Sequence, residues 1–141
     1  MSLVNNPRGL ERVQPRLEEL ARQMGLRLLV LFGSRVSGRL RADSDWDFAV
    51  LTDPGWDSLR SLELVGRLED VVGGPIDLVR LSGSTDPTLL REIFAAGSRC
   101  VFEAEPGLFH EWRSLSARIH ADHLVVLSQH RKELEVGAEE T

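Results

Sequence analysis

The sequence predicts a single α/β domain. Two observations carry that reading: short apolar runs that end in Gly, Asp or Pro alternate with stretches of helical periodicity, and the 141 residues show no internal repeat and no low-complexity linker. A third is composition, since 42% hydrophobic and 28% charged residues are the balance of a globular chain with enough apolar surface to bury a core.

Taken in order, Gln14 to Met24 places Leu17, Leu20, Ala21 and Met24 at helical spacing, an amphipathic helix that Gly25 ends. Leu26 to Phe32 is short, apolar and followed by glycine, a buried strand. Ser34 to Arg39 reads as a short helix or a turn. Phe48 to Leu51 continues a second strand out of the triplet Asp45-Trp46-Asp47 until Thr52-Asp53-Pro54-Gly55 stops it. Asp57 to Asp70, with Leu59, Leu62, Val65 and Leu68, is a helix capped by Asp57 or Ser58.

After the break at Gly73-Gly74-Pro75, Ile76 to Leu81 is a third strand with Asp77 near its start. Asp86-Pro87 opens a helix that runs to about Ala96, with proline at its first position. Arg99 to Ala104 is a fourth strand, at an edge. Pro106 begins a long last helix to about Glu135, so a core over about residues 14–104 carries a C-terminal helix over about 106–135, all within one domain of residues 1–141.

No apolar run is long enough to span a bilayer, and the start MSLVNNPRGL has no basic segment followed by an apolar stretch; a cytoplasmic protein with no membrane partner is expected. The lone cysteine, Cys100, reads as a strand residue rather than a nucleophile. With 22 acidic against 17 basic residues the net charge is -5, which disfavours long nucleic acid as a partner. Arg35, Arg39 and Arg41 form one local basic patch, which suits a triphosphate better than a polymer.

That patch lies inside the most informative run of the chain. Ten residues separate Gly33-Ser34 from Asp45-Trp46-Asp47. Gly33 lets the backbone turn sharply and approach a phosphate, and the free N–H groups of a short helix begun at Ser34 favour negative charge. Arg35 stands where it can reach the same phosphates, or it is an exposed helix arginine. Residues two apart on a strand share a face, so Asp45 and Asp47 can share divalent cations while Trp46 and Phe48 face the other way. Asp77, from a neighbouring strand, is the natural third carboxylate, able to bind a second metal and to accept a proton from an attacking hydroxyl. Trp46 is expected in the core; Trp56, in a loop, is not assigned to the nucleotide.

Gly33-Ser34, ten residues, Ser44 and Asp45-x-Asp47, with Asp77 in IDLV, resemble the minimal nucleotidyltransferases (MNT) of the DNA polymerase beta superfamily, over roughly Gln14 to Phe102. The resemblance implies the nucleotidyltransferase fold, a small mixed sheet of about four strands flanked by helices. It implies ATP as substrate and Mg2+ as cofactor, with Gly33 and Ser34 at the triphosphate and Asp45, Asp47 and Asp77 as catalytic metal carboxylates. It also implies an antitoxin that transfers AMP to a tyrosine hydroxyl of a cognate HEPN ribonuclease toxin. Two other readings compete. One is transfer to a small molecule such as an aminoglycoside, for which the stretch after the third strand leaves little room. The other is a nucleotide-binding antitoxin that acts by contact alone.

The four histidines all lie at or after His110. His120 and His123 share a helix face, but no third strong zinc ligand is near. Arg113 with His120 and Arg118 with His123 fit the loose Arg-to-His spacing of HEPN ribonucleases, yet one helix does not make the bundle such a site needs. In the last helix, Leu108, Trp112, Leu115, Ile119 and Val126 form a docking stripe. Leu124-Val125-Val126-Leu127 is apolar all round, so that turn is either buried within the domain or is a homo- or hetero-oligomer contact.

Overall fold

Leu28 to Phe32 are five consecutive buried residues, and a strand buried on both faces must lie inside a sheet covered on both sides. The structure, a computed structural model, describes residues 9–33 and 46–122. In chain order these form α1 (Leu10–Met24), β1 (Leu28–Phe32), β2 (Trp46–Leu51), α2 (Ser58–Val72), β3 (Ile76–Arg80), α3 (Pro87–Ile93), β4 (Arg99–Glu103) and α4, a helix over 108–122. The sheet has the order β3-β2-β1-β4. β1 runs antiparallel to β2 and β4, whereas β2 and β3 are parallel and are joined through α2. The sheet is therefore mixed, and β4 is at an edge, as expected.

Alternation divides the core in two. Leu29, Leu31, Trp46, Phe48, Val50, Ile76 and Val101 face α1 and α2. Leu28, Val30, Phe32, Ala49 and Leu51 face α3 and α4. Trp46 is buried in the first layer and stacks on Phe48 at 6.1 Å, the core role its strand position predicts.

α1 begins at Leu10, four residues before the expected Gln14, and so carries Pro15 in its interior. A proline there removes one hydrogen bond and crowds the preceding turn, a cost of roughly 3 kcal/mol. Leu10 and Val13 are both buried, and each contributes about 1.5–3 kcal/mol, which offsets that cost.

The face of α2 differs from expectation. Leu64 and Leu68 are buried and Val65, Val71 and Val72 pack beside them, but Leu59 and Leu62 are 76% and 69% exposed. The rotation is fixed at the start of the helix. Asp57 caps it by accepting from the Arg60 N–H at 2.9 Å. Trp56 is buried, donating from Nε1 to Ser61 Oγ at 2.8 Å. The Arg60 guanidinium lies over the Trp56 ring at 4.8 Å and donates to the Met24 carbonyl at 2.9 Å. Trp56 is thus a core residue.

α3 opens as expected at Pro87, with Asp86 accepting from the N–H groups of Thr88 and Leu89. It ends at Ile93 rather than Ala96, in a turn where the Ser98 N–H donates to the Ala95 carbonyl at 2.9 Å and Arg113 donates to the carbonyls of Phe94 and Ala95 at 3.2 and 3.1 Å. Arg113 is therefore a structural clamp between α3 and α4. The carboxylate of Glu103 accepts from the N–H groups of Gly107 and Phe109 at 3.1 and 2.9 Å, tying β4 to the start of α4. Leu108, Phe109, Trp112 and Ile119 of α4 pack on the second core. Leu115, expected in that stripe, is only half-buried, and Ser116 holds the buried position. No helix of the described residues is long and apolar enough to cross a membrane. His123 and Leu124–Leu127 lie outside the described residues.

Candidate active site

Because Trp46 and Phe48 point into the first core, Asp47 between them points to the opposite face of the sheet. Two strand pairings then place its neighbours. The parallel pairing sets Asp47 beside Asp77, and the antiparallel one sets Asp47 beside Phe32, the residue before Gly33. Paired strands lie about 4.8 Å apart. Two carboxylates on one face at that separation can reach the same divalent ion, which holds oxygen ligands at about 2.0–2.6 Å. Asp47 is half-buried and Asp77 is exposed.

Gly33 closes the third side. Its φ of +81° belongs to the left-handed region that favours glycine, and it turns the chain away at the end of β1. A Cβ added there would lie 2.9 Å from Asp47 Cγ and nearer still to Oδ2. Nothing in the sequence spacing announces this close approach, which follows from the register of β1 against β2.

Three of the six expected site residues are thus gathered at one place: Gly33, Asp47 and Asp77. The other three, Ser34, Arg35 and Asp45, lie outside the described residues, as do Arg39, Arg41 and Ser44. Among the described residues no group of three or more His, Cys, Asp and Glu side chains could hold a metal ion. The Asp47–Asp77 pair is a hard oxygen donor set, of the kind that suits magnesium rather than zinc.

Other reactive groups are used elsewhere. His120 Nε2 meets Arg91 Nη1 at 3.2 Å. Burial, reinforced by the charge of Glu103, pushes the Cys100 thiol up to about 12, so it stays protonated at neutral pH and is no nucleophile.

Residues 16–106 match the family Polymerase beta, Nucleotidyltransferase. A curated relative, Protein adenylyltransferase MntA of Aphanizomenon flos-aquae (strain 2012/KM1/D3), is 34% identical over 92 residues, 58% of this chain and 59% of that protein. The chain thus matches less than two thirds of that relative's length. A crystal structure of a toxin–antitoxin with AMP-PNP contains a chain that superposes with a TM-score of 0.64 at 20% identity, over 89% of this chain and 98% of that one. A chain from the complex of tri-AMPylated Shewanella oneidensis HEPN toxin with MNT antitoxin gives 0.57 at 22%, over 84% and 96%. At such identities the likeness speaks to fold, and it agrees with the mixed four-stranded sheet. With the family match spanning all four strands of the sheet, the chain belongs to the polymerase beta nucleotidyltransferase family.

Proposed function

We propose that this protein is a magnesium-dependent nucleotidyltransferase that moves AMP from ATP to a tyrosine hydroxyl of a cognate HEPN ribonuclease toxin, and so acts as its antitoxin. The observation that carries the reading is the in-register pair Asp47 and Asp77 beside the glycine turn at Gly33. Further support comes from the relatives, one named an adenylyltransferase and others solved as toxin–antitoxin structures with AMP-PNP or an AMPylated toxin.

In this reading Gly33, Ser34 and Arg35 receive the triphosphate, and Asp45, Asp47 and Asp77 hold magnesium. Bound there, magnesium supplies charge neutralisation at the phosphates and at the departing pyrophosphate. The tyrosine oxygen attacks the α-phosphorus, the bond from that phosphorus to the pyrophosphate oxygen breaks, and the phenolic proton passes to Asp77. The products are O-adenylyl-tyrosine and pyrophosphate. Asp77 suits the proton's destination because it is the exposed member of the pair, on an edge strand where a hydroxyl carried by another protein can reach it.

The test is incubation of the protein with labelled ATP, magnesium and the product of the neighbouring gene. Label on a tyrosine of that product, with release of pyrophosphate, is the expected result. Silencing of the partner without label would establish the contact-only reading instead.

A further inference from the structure

Four described glycines besides Gly33 have positive φ, and three of these make an internal comparison. Among the described residues, Gly25, Gly73 and Gly107, at +69°, +77° and +89°, would have nothing within 4 Å of an added Cβ. At those positions backbone conformation favours glycine without any such contact. At Gly33 the added atom would lie 2.9 Å from Asp47 Cγ and 3.2 Å from Asp47 Cβ, with Oδ2 closer than either.

We propose that Gly33 is a positioning residue for Asp47: the space left by its missing side chain is the seat that holds the Asp47 carboxylate in register with Asp77. The inference rests on the transfer reading for its catalytic consequence, but not for its geometry.

The surroundings decide what gives way if the seat is filled. On the side of β1, Phe32 is buried and paired with Asp47, and Leu31 before it is fully buried and paired with Phe48. On the side of β2, Trp46 and Phe48 lock the backbone of Asp47 into the first core. Interiors packed in this way do not deform smoothly. The cheapest relief is at the far end of a side chain rather than in the backbone: rotation of Asp47 about χ1 moves the carboxylate to another staggered well and away from its place beside Asp77. Gly33 would then serve the site twice, letting the backbone approach a phosphate and aiming a metal-binding carboxylate. The two roles predict different losses.

Gly33→Ala is compared with Gly25→Ala, which carries the same kind of backbone strain without the contact. Gly33→Asn is a second variant, since asparagine tolerates a left-handed backbone better while still bringing a Cβ. Crystals of either Gly33 variant should show the Asp47 carboxylate rotated out of its seat. Mn2+ affinity, titrated by electron paramagnetic resonance, should fall about tenfold or more. With the toxin as acceptor, kcat should fall about 100-fold, a loss separate from any rise in the KM for ATP that the phosphate-side role of Gly33 brings. Gly25→Ala should match the wild type in all three. An Asp47 carboxylate unmoved in the Gly33 variants overturns the proposal, as does a raised KM for ATP with Mn2+ affinity and kcat intact. Failure of the transfer reading itself would show differently, as Asp47→Asn leaving labelled AMP transfer unchanged; the crystals decide the seat whichever way that assay falls.

Discussion

Asp47 and Asp77 occupy paired positions of the parallel strands β2 and β3 and project from the same face of the sheet. Like charges so placed repel, and in the proposed reading a divalent cation between them would turn that cost into binding. Asp77→Asn should therefore leave the metal-free protein at least as stable as wild type, within about 0.5 kcal/mol, because the residue is exposed. Magnesium at millimolar concentration should raise the melting temperature of the wild type and not that of Asp77→Asn or Asp47→Asn. Both variants should lose AMP transfer to background. Thermal melts with and without magnesium check the first claim, and labelled ATP checks the second; equal shifts in all three proteins would refute a shared ion.

How much of this was legible in the chain depends on the kind of information each feature needs. The opposite facing of Trp46 and Asp47 follows from strand alternation alone and holds in the structure. That Asp77 stands beside Asp47 rather than one step along requires the register of two strands thirty residues apart, which no local pattern carries. The contact of Gly33 with Asp47 is likewise a matter of register. The face of α2 is illegible for another reason: Leu59, Leu62, Val65, Leu68 and Leu64, Val65, Leu68, Val71 are both helical stripes, and they share two residues. Periodicity cannot choose between them. The anchoring of Trp56 to Ser61 and of Arg60 to Met24 does, through contacts that only the folded chain makes.

The choice between those stripes has a direct consequence for stability. Leu64 is fully buried, and Leu64→Ala should cost about 2–5 kcal/mol. Leu62→Ser, on the exposed side of the same helix, should change stability by no more than about 0.5 kcal/mol. Urea unfolding of the two variants compares them on one scale. A large loss for Leu62→Ser would mean that α2 is rotated from the position described.

Arg113 holds the end of α3 through two backbone carbonyls, and its guanidinium also lies 4.6 Å from the centroid of the Phe109 ring. A planar fork makes all these contacts at once, and a lysine ammonium cannot. Arg113→Lys should destabilise the protein by about 1–2 kcal/mol, the range of charged hydrogen bonds reduced for partial exposure. Hydrogen exchange should quicken at the amides of Phe94 to Ser98 before it does in β1. Uniform quickening across the sheet would contradict a local clamp.

Glu103 supplies the clearest dependence on pH. Its carboxylate lies below its ordinary value of 4.5, first because it accepts the Phe109 N–H and then the Gly107 N–H. For an acid with a depressed folded value, the stabilisation is fully present above the unfolded value and is lost as pH falls through the folded one. Glu103→Gln keeps a weaker acceptor and gives up the charge at the start of α4, a loss of about 0.3–1 kcal/mol for a solvent-screened charge at a helix end. The gap between wild type and variant should be widest near neutral pH, begin to close as pH drops below about 4.5, and vanish once the wild-type carboxylate is protonated. Urea midpoints across that range measure it. A gap that stays constant with pH would mean that the Glu103 side chain acts through packing rather than through its charge.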